Sequence, residues 1–184
     1  KEWIDKINQM NVIVVPSKFT KKVFEDTAEK HNLHISTKIR VISEYFDDSV
    51  YNKKNIVDIK ELDEIHESFC YLFVGHWLQG QMGEDRKNIS GLVHTFLDTF
   101  KGKTGSKPAL ILKTSGATSS IVDKMDIEFK LNQIRDLFGN TSNLPNIYLL
   151  HGELSDTEMN SLYNHKKVKA MISFTKAEGF GRPL

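Results

Sequence analysis

The sequence has a single cysteine, Cys70, which lies within the apolar run FCYLFVG. One cysteine cannot form a disulfide within the chain, and it excludes a zinc site built mainly from cysteines. Unpaired cysteines usually pack as small hydrophobic residues, so we expect Cys70 in the core. The scarcity of cysteine also favours a reducing compartment, which we take to be the cytoplasm.

Long apolar runs and an excess of one charge are both missing. No apolar run approaches the roughly 20 residues that a membrane-spanning helix requires. The 25 Lys and Arg residues nearly balance the 24 Asp and Glu residues, which leaves a formal charge of +1. Nucleic-acid-binding proteins concentrate basic residues, so this balance argues against a nucleic-acid partner.

Several familiar catalytic motifs are absent as well. The seven histidines show neither H-x-x-x-H nor HExxH spacing, so the sequence predicts no metal site. It contains no G-x-x-x-x-G-K-[ST] loop, which disfavours the P-loop nucleotide hydrolases. It also lacks G-x-G-x-x-G and G-x-S-x-G, the motifs of dinucleotide-binding enzymes and of α/β hydrolases.

The sequence does contain short apolar segments that alternate with amphipathic ones. The short apolar segments predict strands. The amphipathic segments, which have apolar residues every three or four positions, predict helices. After a strand–helix–strand unit, the later predicted strands are FCYLFVG, PALILK, NIYLLHG and VKAMISF. Strands that are apolar throughout and separated by helices are typical of a parallel sheet covered on both faces. We therefore predict an α/β, Rossmann-like doubly wound fold, whose ligands bind at the carboxyl ends of the strands.

Residues 44–67 separate the strand–helix–strand unit from the later alternation. They are charged and only weakly periodic. We predict a connector with a short helix, and the alternative is a surface helix of one continuous domain.

The last eleven residues, FTKAEGFGRPL, are the most informative stretch. Gly179 and Gly181 permit a tight turn and allow a ligand to approach the main chain. A helix that begins near Gly181 would offer free amides and its positive dipole end to an anion. Glu178 would accept hydrogen bonds from hydroxyls, so a sugar joined to a diphosphate is the natural ligand. On chemistry alone, the alternative is a plain strand–turn–helix junction with a solvated glutamate.

Within this stretch AEGFGRPL, preceded by VKAMISFTK, resembles the signature of the retaining GT-B glycosyltransferases, the superfamily of glycogen synthase and sucrose synthase. The signature is a glutamate, Gly-Phe-Gly, a proline, and a second glutamate eight positions after the first. Glu178 matches the first glutamate, and the second would fall at position 186, beyond Leu184. Three further segments resemble family segments and occur in the family's order: NVIVVPSKFTKKVF, FVGHW…RKN and NIYLLHGELSDTEMNSLY.

The resemblance implies a division of the chain and a reaction. Residues 1–43 would end the acceptor-side domain, 44–67 would be the interdomain linker, and 68–184 would be a nucleotide-sugar-binding domain, incomplete at its C-terminus. The enzyme would move a hexose from a nucleoside diphosphate sugar to an acceptor hydroxyl, with retention at the anomeric carbon. The acceptor would be a carbohydrate, lipid or protein, in polysaccharide or glycoconjugate biosynthesis. We expect no metal or other cofactor.

We further expect the chain to be a fragment that is inactive alone. Peripheral membrane association would involve parts that it lacks. Two alternatives stay open on the same architecture. One is a non-catalytic nucleotide-sugar-binding protein, and the other is a UDP-sugar epimerase, against which the Glu-Gly-Phe-Gly signature speaks.

The resemblance also implies catalytic roles. Glu178 would orient the donor sugar, while Lys87, with Arg86 beside it, would stabilise the leaving diphosphate. The family's usual arginine directly follows the strand-ending glycine, here Gly75, but this chain has His76 at that place. Either Arg86 replaces that arginine, or a neutral His76 donates one hydrogen bond.

Further ligand contacts are expected in the other loops. Lys113 either reaches the phosphates or extends its charge to water. His151 lies where the family's nucleobase packs, and it either contacts the base or is a structural histidine. The other expected contacts to base, sugar or phosphate are Gly152, Leu154, Gly179, Phe180 and Gly181.

Overall fold

A computed structural model describes residues 1–78, 83–140, 142–178, 181 and 183. The chain divides into two compact units, Lys1–Asp47 and Asp48–Leu184, and each contains a parallel sheet. The predicted α/β class, with parallel strands flanked by helices, is confirmed. Within the described ranges, no helix is both long enough and apolar enough to cross a bilayer.

The first unit is a small strand–helix–strand structure. Its elements are α1 (Glu2–Ile7), β1 (Val12–Val15), α2 (Lys18–Lys30) and β2 (Lys38–Val41). Strands β1 and β2 pair in parallel, and α2 begins where the Ser17 side chain accepts a hydrogen bond from the Thr20 amide at 3.0 Å. Ile4, Ile7 and Ala28 form its buried core.

The second unit contains a four-stranded parallel sheet. Its elements are a 3₁₀ helix (Lys60–Leu62), β3 (Cys70–Val74), α3 (Ile89–Phe100), β4 (Ala109–Lys113), α4 (Ile121–Asp136), β5 (Ile147–Leu150), α5 (Asp156–Tyr163) and β6 (Val168–Met171). The strands lie in the order β5-β4-β3-β6. After β3 the chain adds β4 and β5 on one side of it, and β6 then pairs with the other side of β3. The topological switch point therefore lies between β3 and β6. In doubly wound folds, ligands bind at such a point.

Side chains of alternate strand residues divide between two core layers. Phe73 of β3 and Leu110 and Leu112 of β4 pack with α3 and α4 on one face. Cys70 and the strand residues that alternate with Phe73, Leu110 and Leu112 pack with α5 on the other face. Because successive side chains of a strand point to opposite faces, continuous apolar strands require a helical layer on each side. Cys70 is fully buried, as predicted, and burial raises the pKa of its thiol.

Residues 48–67 belong to the second unit and pack against its sheet and helices. Apart from the 3₁₀ helix they have no regular secondary structure, but Ile59, Leu62 and Ile65 are buried in its second core layer. The Asn160 side-chain amide of α5 donates to the carbonyls of Asn52 and Asn55, both at 2.8 Å. The assignment of 1–43, 44–67 and 68–184 to two domains and a linker stays a prediction.

Candidate functional site

A cleft of about 510 Å³ opens at the carboxyl edge of the four-stranded sheet. Its walls come mainly from the loops that follow β3, β4 and β5. The residues predicted from the sequence that line it are Gly75, His76, Arg86, Lys87, Lys113, Gly152 and Leu154. These side chains come from distant parts of the sequence, and the parallel sheet brings them to one edge.

Gly75 lies close to the Phe73 ring where β3 ends. Its amide donates to the Lys113 carbonyl at 3.1 Å, which continues the pairing of β3 with β4. A Cβ at Gly75 would stand 3.0 Å from the Phe73 ring and 3.5 Å from Lys87 Cε. A larger residue would therefore press on the Phe73 ring, while Lys87 would stay at ordinary contact distance.

Arg86 and Lys87 immediately precede Asn88, the N-cap residue of α3. Asn88 adopts a left-handed conformation with φ 49°. The amino end of a helix carries a partial positive charge, so two cations there are unfavourable unless an anion lies near them.

Glu178, which follows β6, supplies that anion. Its Oε2 lies 3.2 Å from Arg86 Nη1, and its Oε1 accepts a hydrogen bond from Lys87 Nζ. The Glu178 and Lys87 side chains are only 20% and 12% exposed, whereas Arg86 is 55% exposed. Burial alone would raise the pKa of the Glu178 carboxyl, but hydrogen bonds from Lys87 and Arg86 outweigh it and hold the pKa below its usual range.

The main chain before Glu178 is also tied to the β3 loop. The Lys176 amide donates to the Arg86 carbonyl at 2.9 Å, and the Arg86 guanidinium donates to the Ala177 carbonyl. The Lys176 side chain donates to the carbonyl of Gly83, so it does not extend freely into solvent. These bonds join the segments after β3 and β6 across the topological switch point.

Lys113 ends β4 and reaches the loop after β5. Its Nζ donates to the Gly152 carbonyl while the side chain lines the cleft. Burial lowers the pKa of the Lys113 ammonium, and the negative charge of Glu153 offsets part of that effect. Lys113 thus fixes the β5 loop, and its contact with phosphate stays a prediction.

His151 is not among the residues that line the cleft. Its Nε2 lies 2.8 Å from Asp123 Oδ2, and their side chains are 7% and 13% exposed. This geometry matches the structural alternative for His151, while contact with a base stays untested.

Asp123 was not predicted from the sequence, and it organises the loop between β4 and α4. Its carboxylate accepts hydrogen bonds from the amides of Gly116 at 2.7 Å and Ala117 at 3.1 Å. Burial would raise the pKa of Asp123, but hydrogen bonds from His151 and these amides lower it overall. The sequence signal that could have pointed to Asp123 was Ser120, three residues before it, since Ser-x-x-Asp is typical of a helix start. The Ser120 side chain does cap α4.

His76 links the loops after β3 and β4. Its Nδ1 lies 3.1 Å from Ser115 Oγ, and both residues line the cleft. Arg86 is the guanidinium that meets Glu178, so an arginine is present beside the site although not at the family's usual position. Whether Arg86 or His76 takes the usual arginine's role stays open.

The remaining predicted contacts are glycines and an aromatic. Gly152 adopts φ 98° and Gly181 adopts φ 86°, values that favour glycine over residues with a side chain. Gly179 and Phe180 lie outside the described residues. The cleft also includes Glu153, which the sequence placed beside Leu154 at the base or ribose, and residues that the sequence did not single out, among them Met159.

No protein-family model and no curated protein matches this chain. Among the described residues, no three His, Cys, Asp or Glu side chains cluster as potential ligands of a metal ion. A functional hypothesis therefore depends on the terminal signature and on the geometry of the cleft.

Proposed function

We propose that this chain binds a nucleoside diphosphate sugar and belongs to a retaining glycosyltransferase of the GT-B type. The observation that carries the proposal is the contact of Glu178 with Lys87 and Arg86 at the topological switch point. A solvated glutamate at a plain strand–turn–helix junction, the alternative considered from the sequence, would not need two cations from the opposite loop.

The chemistry of the proposed reaction uses these three residues together. When the bond between the anomeric carbon and the diphosphate breaks, negative charge grows on the leaving diphosphate. Lys87 and Arg86 stabilise that charge, and the amino end of α3 adds to the positive field. A diphosphate competes with Glu178 for the same cations, and a Glu178 carboxylate released in this way accepts hydrogen bonds from sugar hydroxyls.

A second candidate function is nucleotide-sugar binding without turnover. His76 stands at the position of the family's usual arginine and is engaged with Ser115 at 3.1 Å. If Arg86 does not replace the missing arginine, the site would retain a ligand but would stabilise the leaving group poorly.

Turnover of nucleotide sugars by the natural full-length protein separates these functions. A panel of UDP, GDP and ADP sugars is incubated with candidate acceptors, and the products are scored for transfer, hydrolysis and epimerisation. Transfer with retained anomeric configuration supports the proposal, and binding without any product supports the second candidate. An epimerised sugar, or no binding of any nucleotide sugar, contradicts both.

A further inference from the structure

We infer that the base of the bound nucleotide is guanine and that Glu153 selects it. The inference rests on the proposed function and names the donor base, which the family resemblance leaves open.

The order of the strands sets where a base would lie. Lys87 and Arg86 follow β3, whereas Glu153 and Leu154 follow β5, and β4 lies between these two strands. Neighbouring strands are about 4.8 Å apart, so the two loops are separated by about 10 Å along the edge of the sheet. A diphosphate at the cations therefore directs the nucleoside along the cleft toward the β5 loop.

Apolar and polar groups meet at that end of the cleft. Leu154 and Met159 line it and offer apolar surface for the face of a base. The Gly152 carbonyl already accepts a hydrogen bond from Lys113, which uses one of its two lone pairs. Glu153 is exposed, and its carboxylate has no hydrogen-bond donor within the part of the chain that the structure describes.

A carboxylate distinguishes between the bases by their edges. It presents two acceptors, which match the adjacent N1–H and 2-amino donors of guanine in a paired, charge-assisted arrangement. Uracil presents one N–H flanked by two carbonyl oxygens, which a carboxylate repels. Adenine presents an amino group beside a bare ring nitrogen, so only one of its two positions is favourable.

Calorimetric titration of the purified chain with GDP, IDP, UDP and ADP tests the inference. IDP lacks only the 2-amino group of GDP, so it isolates one of the two hydrogen bonds. We expect GDP to bind most tightly and IDP to bind about 10- to 100-fold more weakly. In Glu153→Gln the ratio of GDP to IDP affinity should fall toward one.

Glu128→Gln is the matched control, because Glu128 is an exposed glutamate on α4 that does not line the cleft. It should keep the wild-type preference, and circular dichroism checks that each variant is folded. A preference for UDP or ADP, or a GDP-to-IDP ratio unchanged in Glu153→Gln, overturns the inference and leaves the proposed function standing. Failure of every diphosphate to bind overturns both.

Discussion

Replacing Lys87 and replacing Glu178 should change nucleoside diphosphate binding in opposite directions. Their side chains are 12% and 20% exposed, and Lys87 donates a hydrogen bond directly to the Glu178 carboxylate. A diphosphate that binds beside Lys87 must compete with Glu178 for the same ammonium. Lys87→Ala therefore removes a ligand contact, whereas Glu178→Gln removes a competitor.

The size of each effect follows from the type of contact. A hydrogen bond to a charged group contributes about 1.5–3 kcal/mol, so Lys87→Ala should weaken binding about 10- to 150-fold. The Glu178 carboxylate also meets Arg86, which is 55% exposed, and solvent screens that part of the interaction. Glu178→Gln should therefore strengthen diphosphate binding by a smaller factor, about 2- to 5-fold.

Isothermal titration calorimetry with the preferred nucleoside diphosphate measures both changes. Lys124→Ala is the matched control, since Lys124 lies on α4 with its ammonium 3.8 Å from Glu128. The affinity of this variant for the diphosphate should equal that of wild type. Thermal unfolding of each variant separates lost binding from lost folding. Affinities that move in the same direction for Lys87→Ala and Glu178→Gln, or that move for neither, refute the idea of a shared cation.

Two further predictions concern the loop that follows β4. Gly116→Ala should lower the free energy of unfolding by about 1–3 kcal/mol, measured by urea denaturation, because a Cβ there would stand 2.3 Å from Asp123 Oδ1. An unchanged urea midpoint would show that the Asp123 side chain gives way easily. Since the pKa of Asp123 is lower in the folded chain than in the unfolded one, its contribution to stability is present above about pH 4 and is lost as pH falls through the folded value. Asp123→Asn should remove that part of the acid dependence, and an unchanged profile of unfolding free energy against pH would contradict the assignment.

The secondary structure could be predicted because its signals are local. Apolar runs such as the one around Cys70 mark buried strands, and serine, which is preferred at helix starts, caps α2 at Ser17 and α5 at Ser155. The capping box of Ser155 with Glu158 is present in full. These features depend on residues within a few positions of one another, so a single sequence is sufficient to show them.

The site could be predicted only in part because its contacts join distant residues. The sequence placed Lys87 and Glu178 at the same sheet edge, but not their direct contact across 91 positions. The roles of Asp123 and of the Lys113 bond to Gly152 depend on which loops the sheet makes neighbours. The packing of residues 48–67 was also hidden, since their weak periodicity does not show that Ile59 and its neighbours are buried.

The binding of a nucleoside diphosphate in this cleft can be observed most directly by NMR, as shifts of amide resonances during titration. We expect saturable shifts of Gly75, Lys87 and Gly152, which line the cleft, and no shifts of α2 residues such as Lys22 in the first unit. Saturable shifts confined to residues away from the cleft, or no shifts with any nucleoside diphosphate, would contradict the account.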